Sequence, residues 1–220
     1  MKTIASLLAL LSLSGSIGAK DLDFWQWFLK RQERIEAFKD GNDQVIDELL
    51  SQLHKYNKHL FLELSVNSEI KELVITAEGD TEQFESVRNL IVKAPSLKNW
   101  KFTAFKPALG FGFVNKYMGV EYDPSKLWFL PLEKESDPSA IGIKIGIPNF
   151  DEKTHIHSRA ALWIIVDTGL GELAAAQDIQ FMETGALPSD PEKEGYIELI
   201  ELQKYLEWKK SKSSKAASKL

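Results

Sequence analysis

Two amphipathic helices are predicted near the start of the chain, because apolar residues recur there every three or four positions. The first covers residues 24–38 and carries charged side chains on its opposite side. The second covers residues 43–56, and Asn42 or Asp43 can cap it. The apolar positions are Phe24, Trp27, Phe28, Ile35 and Phe38, followed by Val45, Ile46, Leu49, Leu50 and Leu53.

The hydrophobic period then changes from about 3.6 residues to 2, which indicates β-strands. Further helices are expected to start at Asp80 and Asp151, and Gly169 and Gly171 are expected to interrupt or end the second of these. The predicted elements are, in order, strands 60–66 and 71–77, a helix from 80 to 94, strand 100–106, an edge strand 118–122, strands 127–132 and 141–147, a helix from 151, strand 179–183 and a last helix 196–210.

The order strand–strand–helix–strand therefore occurs twice, over residues 59–107 and 127–187. It predicts an α+β fold in which two ββαβ, ferredoxin-like halves form antiparallel sheet with helices packed on it, beside the N-terminal helix pair. We expect one domain over 20–208. The recurrence is interpreted as an internal duplication, with a chance recurrence of common motifs as the alternative.

The first nineteen residues have the layout of a secretory signal peptide. Lys2 gives a positive start, an apolar run follows, and Gly18 and Ala19 are small residues suited to cleavage after either one. The run is shorter than the roughly 20 apolar residues of a transmembrane helix. A retained anchor or a buried helix is the alternative. The pattern predicts a secreted or periplasmic protein without a transmembrane anchor after cleavage.

The chain contains no cysteine, which excludes disulfides, a lipoprotein anchor and thiolate zinc sites. Its formal net charge is −5, and such an acidic chain is a poor nucleic-acid binder. The lysine-rich segment 209–220 is predicted to be a disordered basic tail, with loose contact to an anionic surface as its functional alternative. Its end, Ser218-Lys219-Leu220, is typical of a peroxisomal address, which the signal peptide overrides.

Several landmarks follow one another in a distinctive order. An aromatic Phe-Trp-Gln-Trp-Phe helix begins at Phe24, His54 and Tyr56 end the next helix, and a Pro-x-Leu-x-x-Trp-Lys-Phe segment starts at Pro95. An extended segment over 72–79 and a later Leu-Gly-Glu over 170–172 complete the order. In this order the chain resembles a group of uncharacterised bacterial proteins. The resemblance covers most of residues 24–187 and implies no known activity.

Two histidines separated by one residue, His155 and His157, are weak candidates for metal ligands. In the predicted helix start they point apart, so Asp151 and Glu152 complete a site only if the segment is a loop. The alternative is a solvated helix N-terminus, at which acidic residues are favoured by the helix dipole. The sequence indicates no cofactor.

The Gly- and aromatic-rich connection around Phe111 is the candidate ligand contact. It lacks the residues of a phosphate loop. Its aromatic side chains can line a groove for a sugar, a peptide or another apolar ligand, or else pack in the core between the halves. The candidate residues are Phe111, Phe113, Tyr117, Tyr122 and Trp128.

These observations favour a non-enzymatic binding or interaction protein of the bacterial envelope or exterior. Its contact surface would be an exposed sheet edge or the aromatic connection, and its partner a protein, peptide or small molecule. No catalytic triad or nucleophile elbow is present in the sequence pattern. The alternative is a hydrolase with a carboxylate or histidine site between the halves, for which pairs such as Asp167 and Glu172 are available.

Overall fold

The computed structural model describes residues 17–38, 43–134 and 137–217. It is an α+β structure, as predicted, and its sheets are mixed. The chain divides into two compact units, one with the residues up to 78 and 82–104, the other with 79–81 and the residues from 105 onward. Of the helices in the described part of the chain, none combines the length and the apolarity that a bilayer crossing needs.

The described residues of the first unit form three α-helices and a three-stranded sheet. Its strand order is β1-β2-β3, with β1 antiparallel to β2 and β2 parallel to β3. Most of the predicted signal peptide lies outside the described residues. The elements are α1 (Ile17–Glu36), α2 (Asp43–Tyr56), β1 (Phe61–Ser65), β2 (Lys71–Thr76), α3 (Phe84–Ile91) and β3 (Trp100–Ala104).

Aromatic rings of α1 and β3 pack against one another in the first unit. Trp100 and Phe102 stand two residues apart on β3, so their side chains lie on one face of the strand and stack 5.7 Å apart. The Phe28 ring meets them edge-on at 5.0 and 5.4 Å. The buried Trp25 indole N–H donates to the Leu90 carbonyl at 2.8 Å, which satisfies its only polar group.

The second unit contains a four-stranded sheet, a small hairpin and three helices. The sheet order is β8-β7-β6-β9, and β4 pairs with β5 in the hairpin. The elements are β4 (Asn115–Tyr117), β5 (Val120–Tyr122), β6 (Trp128–Lys134), β7 (Asp137–Ile147), α4 (Ser158–Leu170), α5 (Glu172–Asp178), β8 (Phe181–Ala186), β9 (Ile197–Glu198) and α6 (Leu202–Ala217).

The alternating isoleucines predicted as a strand form the centre of this sheet, which confirms the prediction. All four are buried on β7, together with Phe129 of β6 and apolar residues of α4 and α6. The alternate positions, Gly142 and Gly146, fall on the opposite face of the strand. The four isoleucines are Ile141, Ile143, Ile145 and Ile147.

The prediction of antiparallel sheet was wrong for two strand pairs. Strand β2 is parallel to β3, and β7 is parallel to β8. A helix lies between the strands of each pair, and a helical crossover returns the chain to the end at which the previous strand began. The strand that follows such a helix therefore runs parallel to its neighbour, whereas the hairpins β1–β2 and β6–β7 are antiparallel.

The helix predicted from Asp151 starts later, at Ser158. The Asp151 carboxylate accepts the backbone N–H groups of Lys153 and Thr154 at 2.8 and 3.1 Å, and these bonds hold the segment in turns. At the other end, α4 stops at Leu170 and α5 begins at Glu172, which confirms the predicted break at Gly171, whereas Gly169 lies inside α4.

The last helix extends further than predicted. It reaches Ala217, so its backbone is helical over most of the segment that the sequence predicts as a disordered tail. Buried Leu202 and Leu206 hold its first half against the core of the second unit. The terminal Ser218-Lys219-Leu220 lies outside the described residues.

Replacing Gly171 by alanine is expected to destabilise the protein by about 2 kcal/mol or more. Gly171 has φ +79°, and an added Cβ would lie 2.7 Å from the backbone nitrogen of Ala108. Urea unfolding measures the loss. Gly112→Ala is the control, because a Cβ there has no heavy atom within 4 Å. Equal stability of both variants would contradict the strain at position 171.

Candidate functional site

An open groove of about 440 Å³ lies along α1 and α2 in the first unit. The groove is open to solvent and is lined mainly by polar and charged side chains. An aromatic ring, two guanidinium groups, two carboxylates, two amides and a hydroxyl line it. The lining residues are Trp27, Arg31, Arg34, Gln44, Asp47, Glu48, Ser51 and Gln52.

The helical repeat explains why these side chains share one groove. On α1, positions 27, 31 and 34 follow one another at spacings of four and three, which places them on one side of the helix. On α2, the lining positions fall at 44, 47, 48, 51 and 52, while Val45, Leu49 and Leu53 are buried on its other side. The buried residues of α2 thus fix the direction in which its polar face points.

The Arg31 guanidinium lies over the Trp27 ring, with its Cζ 5.0 Å from the ring centre. Such stacking is attractive, because the ring face carries negative charge density. It also holds a flexible side chain in place while the N–H groups at the edge of the guanidinium plane stay available for a carboxylate. Trp27 is half-buried and Arg31 is exposed, so the stacked pair is accessible.

The second arginine of the groove is already paired. An Arg34 Nη2–H donates to Glu48 Oε1 at 2.7 Å across the groove. Asp47 neighbours this pair on α2 and makes no ion pair within the described residues, and Arg31 makes none there either. The groove therefore contains one ion pair, Arg34 with Glu48, and two further side chains of opposite charge, Arg31 and Asp47.

Four of the five predicted aromatic contacts pack on the core of the second unit. Tyr122 is buried in it, and Phe111, Phe113 and Tyr117 are partly buried against it. The Phe111 ring occupies the space next to Gly169 of α4. A Cβ added to Gly169 would lie 2.2 Å from Phe111 Cε1. The role of these residues as ligand contacts stays a prediction.

The fifth aromatic residue, Trp128, lies apart from the other four. It pairs with Gly146 on β7, and its neighbour Phe129 points into the core. Because side chains alternate along a strand, Trp128 points to the opposite face of the sheet. The structure thus does not bring all five predicted residues to one site.

The predicted histidine pair lies in the turns before α4. The His155 ring packs 5.2 Å from Phe150 and 6.0 Å from Tyr122, and its Nδ1 accepts the Asp151 backbone N–H at 3.1 Å. His157 is exposed at the end of the turns. Throughout residues 17–38, 43–134 and 137–217, no three acidic or histidine side chains form a group that could hold a metal ion.

The turn before α4 also changes the acidity of Asp151. The backbone N–H groups of Thr154 and Lys153 stabilise its ionised form, and they lower the pKa of the carboxyl group below its ordinary value. The carboxylate therefore acts as an acceptor that fixes the turn.

The carboxylates Asp167 and Glu172 are the sequence candidates for acid–base chemistry. In the structure both make contacts that are typical of structural groups. Asp167 forms an ion pair with Lys106 at 2.7 Å. Glu172 is fully buried, and its two oxygens accept the backbone N–H groups of Gly79 and Lys106, each at 3.1 Å. All of these residues belong to the second unit. Glu172 thereby satisfies two backbone donors inside the protein.

No protein-family model, no curated protein and no solved structure matches this chain. Residue roles are therefore inferred from the chain itself. The sequence does not predict the α1–α2 groove, because Trp27 falls on the apolar face predicted for the first helix. The spacing of Trp27, Arg31 and Arg34 was the available signal.

Replacing Glu172 by glutamine is expected to lower the free energy of unfolding by about 1–3 kcal/mol. The amide keeps the shape of the side chain but offers one acceptor oxygen, so one part-buried backbone N–H group, of Gly79 or Lys106, loses its acceptor. Thermal or urea unfolding measures the change. Glu85→Gln is the control, because Glu85 is exposed on α3. A neutral effect at position 172 would show that the two hydrogen bonds contribute nothing.

Proposed function

We propose that this chain is a non-enzymatic binding protein of the bacterial envelope or exterior, and that the α1–α2 groove takes up a small zwitterion such as a short peptide. The observation that carries this proposal is the arrangement of charges in the groove. Arg31 is stacked on Trp27 with its N–H edge available, and Asp47 has no ion partner within the described residues.

A zwitterion matches these two separate charges. A ligand carboxylate accepts the paired N–H groups of Arg31, in the planar geometry that guanidinium favours. A ligand ammonium donates to Asp47. The stacked Trp27 lowers the cost of ordering the long arginine side chain, because Arg31 is already held before the ligand arrives.

The remaining groove residues suit the polar body of a peptide. Gln44, Ser51 and Gln52 offer donors and acceptors for amide groups. The closed pair of Arg34 and Glu48 adds no net charge, so the groove favours ligands that are neutral overall but carry both signs. A net anion or a net cation gains from only one of the two separate charges.

Export of the protein is part of this proposal and rests on the sequence of residues 1–19. The positive start, the short apolar run and the small residues at its end support a cleavable signal peptide. Location in the periplasm or outside the cell follows from it. Helix α1 begins at Ile17, so cleavage after Gly18 or Ala19 leaves nearly all of the helix in the mature chain.

We also infer an internal duplication of a ββαβ, ferredoxin-like half. Its support is the shared order of the elements. In the first unit the hairpin β1–β2 is followed by α3 and by β3, which is parallel to β2. In the second unit the hairpin β6–β7 is followed by α4, α5 and β8, which is parallel to β7.

Trialanine is expected to bind the groove, and Arg31→Ala is expected to weaken that binding about tenfold or more, which corresponds to about 1.4 kcal/mol. The variant removes the carboxylate partner and leaves the helix intact, because alanine favours helix. Isothermal titration calorimetry measures the affinity, and chemical-shift changes in NMR spectra locate the peptide. Asp47→Asn tests the ammonium partner in the same way.

Two controls separate this site from general attraction. Arg159→Ala removes an exposed arginine of the second unit and is expected to leave the affinity unchanged. N-acetyl-trialanine amide lacks both terminal charges and is expected not to bind. Equal binding of the capped and the free peptide, or no effect of Arg31→Ala, would overturn the zwitterion site.

The mature protein is expected to start at Ala19 or Lys20 when the full chain is expressed in a bacterium. Signal peptidase removes the preceding residues if the segment is read as an export signal. N-terminal sequencing and intact mass of the purified protein measure the cleavage site. An intact Met1 in the envelope fraction would contradict the export proposal.

A further inference from the structure

Helix α6 is attached to the second unit by only one of its sides. Leu202 and Leu206 are buried in the core, and the Tyr205 ring lies 5.4 Å from Phe129. Lys209 and Lys210 follow on the same helix and form ion pairs with Glu133 and Asp178 at 2.8 and 2.6 Å, respectively. Two of the lysines of the helix are therefore used within the protein.

An exposed side of α6, next to the one that Tyr205 occupies, carries a row of basic residues around an exposed indole. Lys204, Trp208 and Lys212 follow one another at spacings of four, which places them one above the other along the helix. We call these three residues the Lys–Trp row. The row extends over roughly 12 Å of helix.

The side chains of the Lys–Trp row are exposed, although the Trp208 ring also lies 5.7 Å from the Tyr205 ring. Trp208 is 49% exposed, which is unusual for so large an apolar group. The Lys212 ammonium lies 4.2 Å from the centre of its ring. Among the described residues, Lys204 forms an ion pair with Glu201 at 2.8 Å; both groups are exposed, and such a pair is weak in water.

Charge is strongly segregated in this part of the chain. Residues 202–220 contain six lysines and one glutamate, whereas the whole chain has a formal net charge of −5. Five of these six lysines lie within the residue range of α6, which therefore carries a local excess of positive charge in an acidic protein. A straight helical row with lysines on both sides of one indole presents an approximately flat contact surface.

We propose that the Lys–Trp row binds the surface of an anionic lipid bilayer. Lysine ammonium groups are attracted by anionic headgroups, and their long stems let the charges stay in water while the helix lies on the surface. Tryptophan prefers the membrane–water interface, where its ring contacts acyl chains and its N–H reaches polar groups. The helix lies flat on the membrane and does not enter it.

An extended apolar face is absent from this row, so the contact is reversible. One indole and a few lysines correspond to a single weak membrane signal, and stable anchoring takes two such signals. The attraction therefore depends on ionic strength, because exposed charges are screened by salt. This inference is independent of the peptide groove, which lies on α1 and α2 in the other unit.

The test is sedimentation of the full chain with vesicles. We expect the protein to bind vesicles of phosphatidylcholine mixed with phosphatidylglycerol, and not vesicles of phosphatidylcholine alone. Binding is expected at about 0.01 M salt and to be lost at about 1 M, where the Debye length falls from about 30 to about 3 Å. The Trp208 fluorescence is expected to shift to shorter wavelength on binding, and the difference from Trp208→Phe isolates its signal from the other tryptophans.

Matched variants show whether the row carries the effect. Lys212→Glu and Trp208→Ala are each expected to weaken partitioning about tenfold or more. Lys193→Glu makes the same change of charge on an exposed loop outside α6, where Lys193 pairs with Asp190, and is expected to have little effect. Thermal unfolding checks that all variants are folded.

Three results would overturn the proposal. Equal binding to neutral vesicles would show that anionic lipid is not recognised. An equal loss in Lys193→Glu and Lys212→Glu would show that only overall charge matters. Tighter binding of single-stranded RNA than of anionic vesicles, with the same dependence on Trp208, would assign the row to a nucleic acid instead.

Discussion

The second unit depends on the burial of the isoleucines of strand β7. The strand pairs with β6 on one side and β8 on the other, and its four isoleucines are at most 7% exposed. Burying each of these side chains stabilises the fold by roughly 1.5–3 kcal/mol. Helices α4 and α6 contribute to the same core, so the position of the basic helix follows from the position of this strand.

Periodicity in the sequence was sufficient to predict most elements but not the direction of strands that follow helices. A period of 2 shows that a segment is a strand, yet it contains no information about which strand lies beside it. The start of α4 was misplaced for a related reason. Asp151 accepts backbone N–H groups two and three residues ahead, and the same preference operates in helix caps and in isolated turns. The packing of His155 on Phe150, which favours the turn, depends on the folded chain.

The candidate site was harder to predict than the fold, because polar faces of amphipathic helices look alike in sequence. Arg31 and Arg34 resemble ordinary solvated residues until the packing of α2 brings carboxylates and amides opposite them. The aromatic connection shows the converse problem. Phe111 lies against α4 because Gly169, far away in sequence, leaves room for its ring. The space beside Gly169 can be recognised only in the folded structure, where the segment of Phe111 packs on α4.

Gly142 of β7 and Phe181 of β8 are register partners, and the Phe181 ring lies over the glycine. A Cβ at position 142 would lie 1.9 Å from Phe181 Cζ, so the ring fills the volume that the missing side chain leaves. A side chain at position 142 and a large ring at position 181 would therefore need the same volume. In related chains we expect a larger residue at 142 to be accompanied by a smaller residue at 181. Such paired exchanges would mark the parallel register of β7 and β8 in an alignment without any structure.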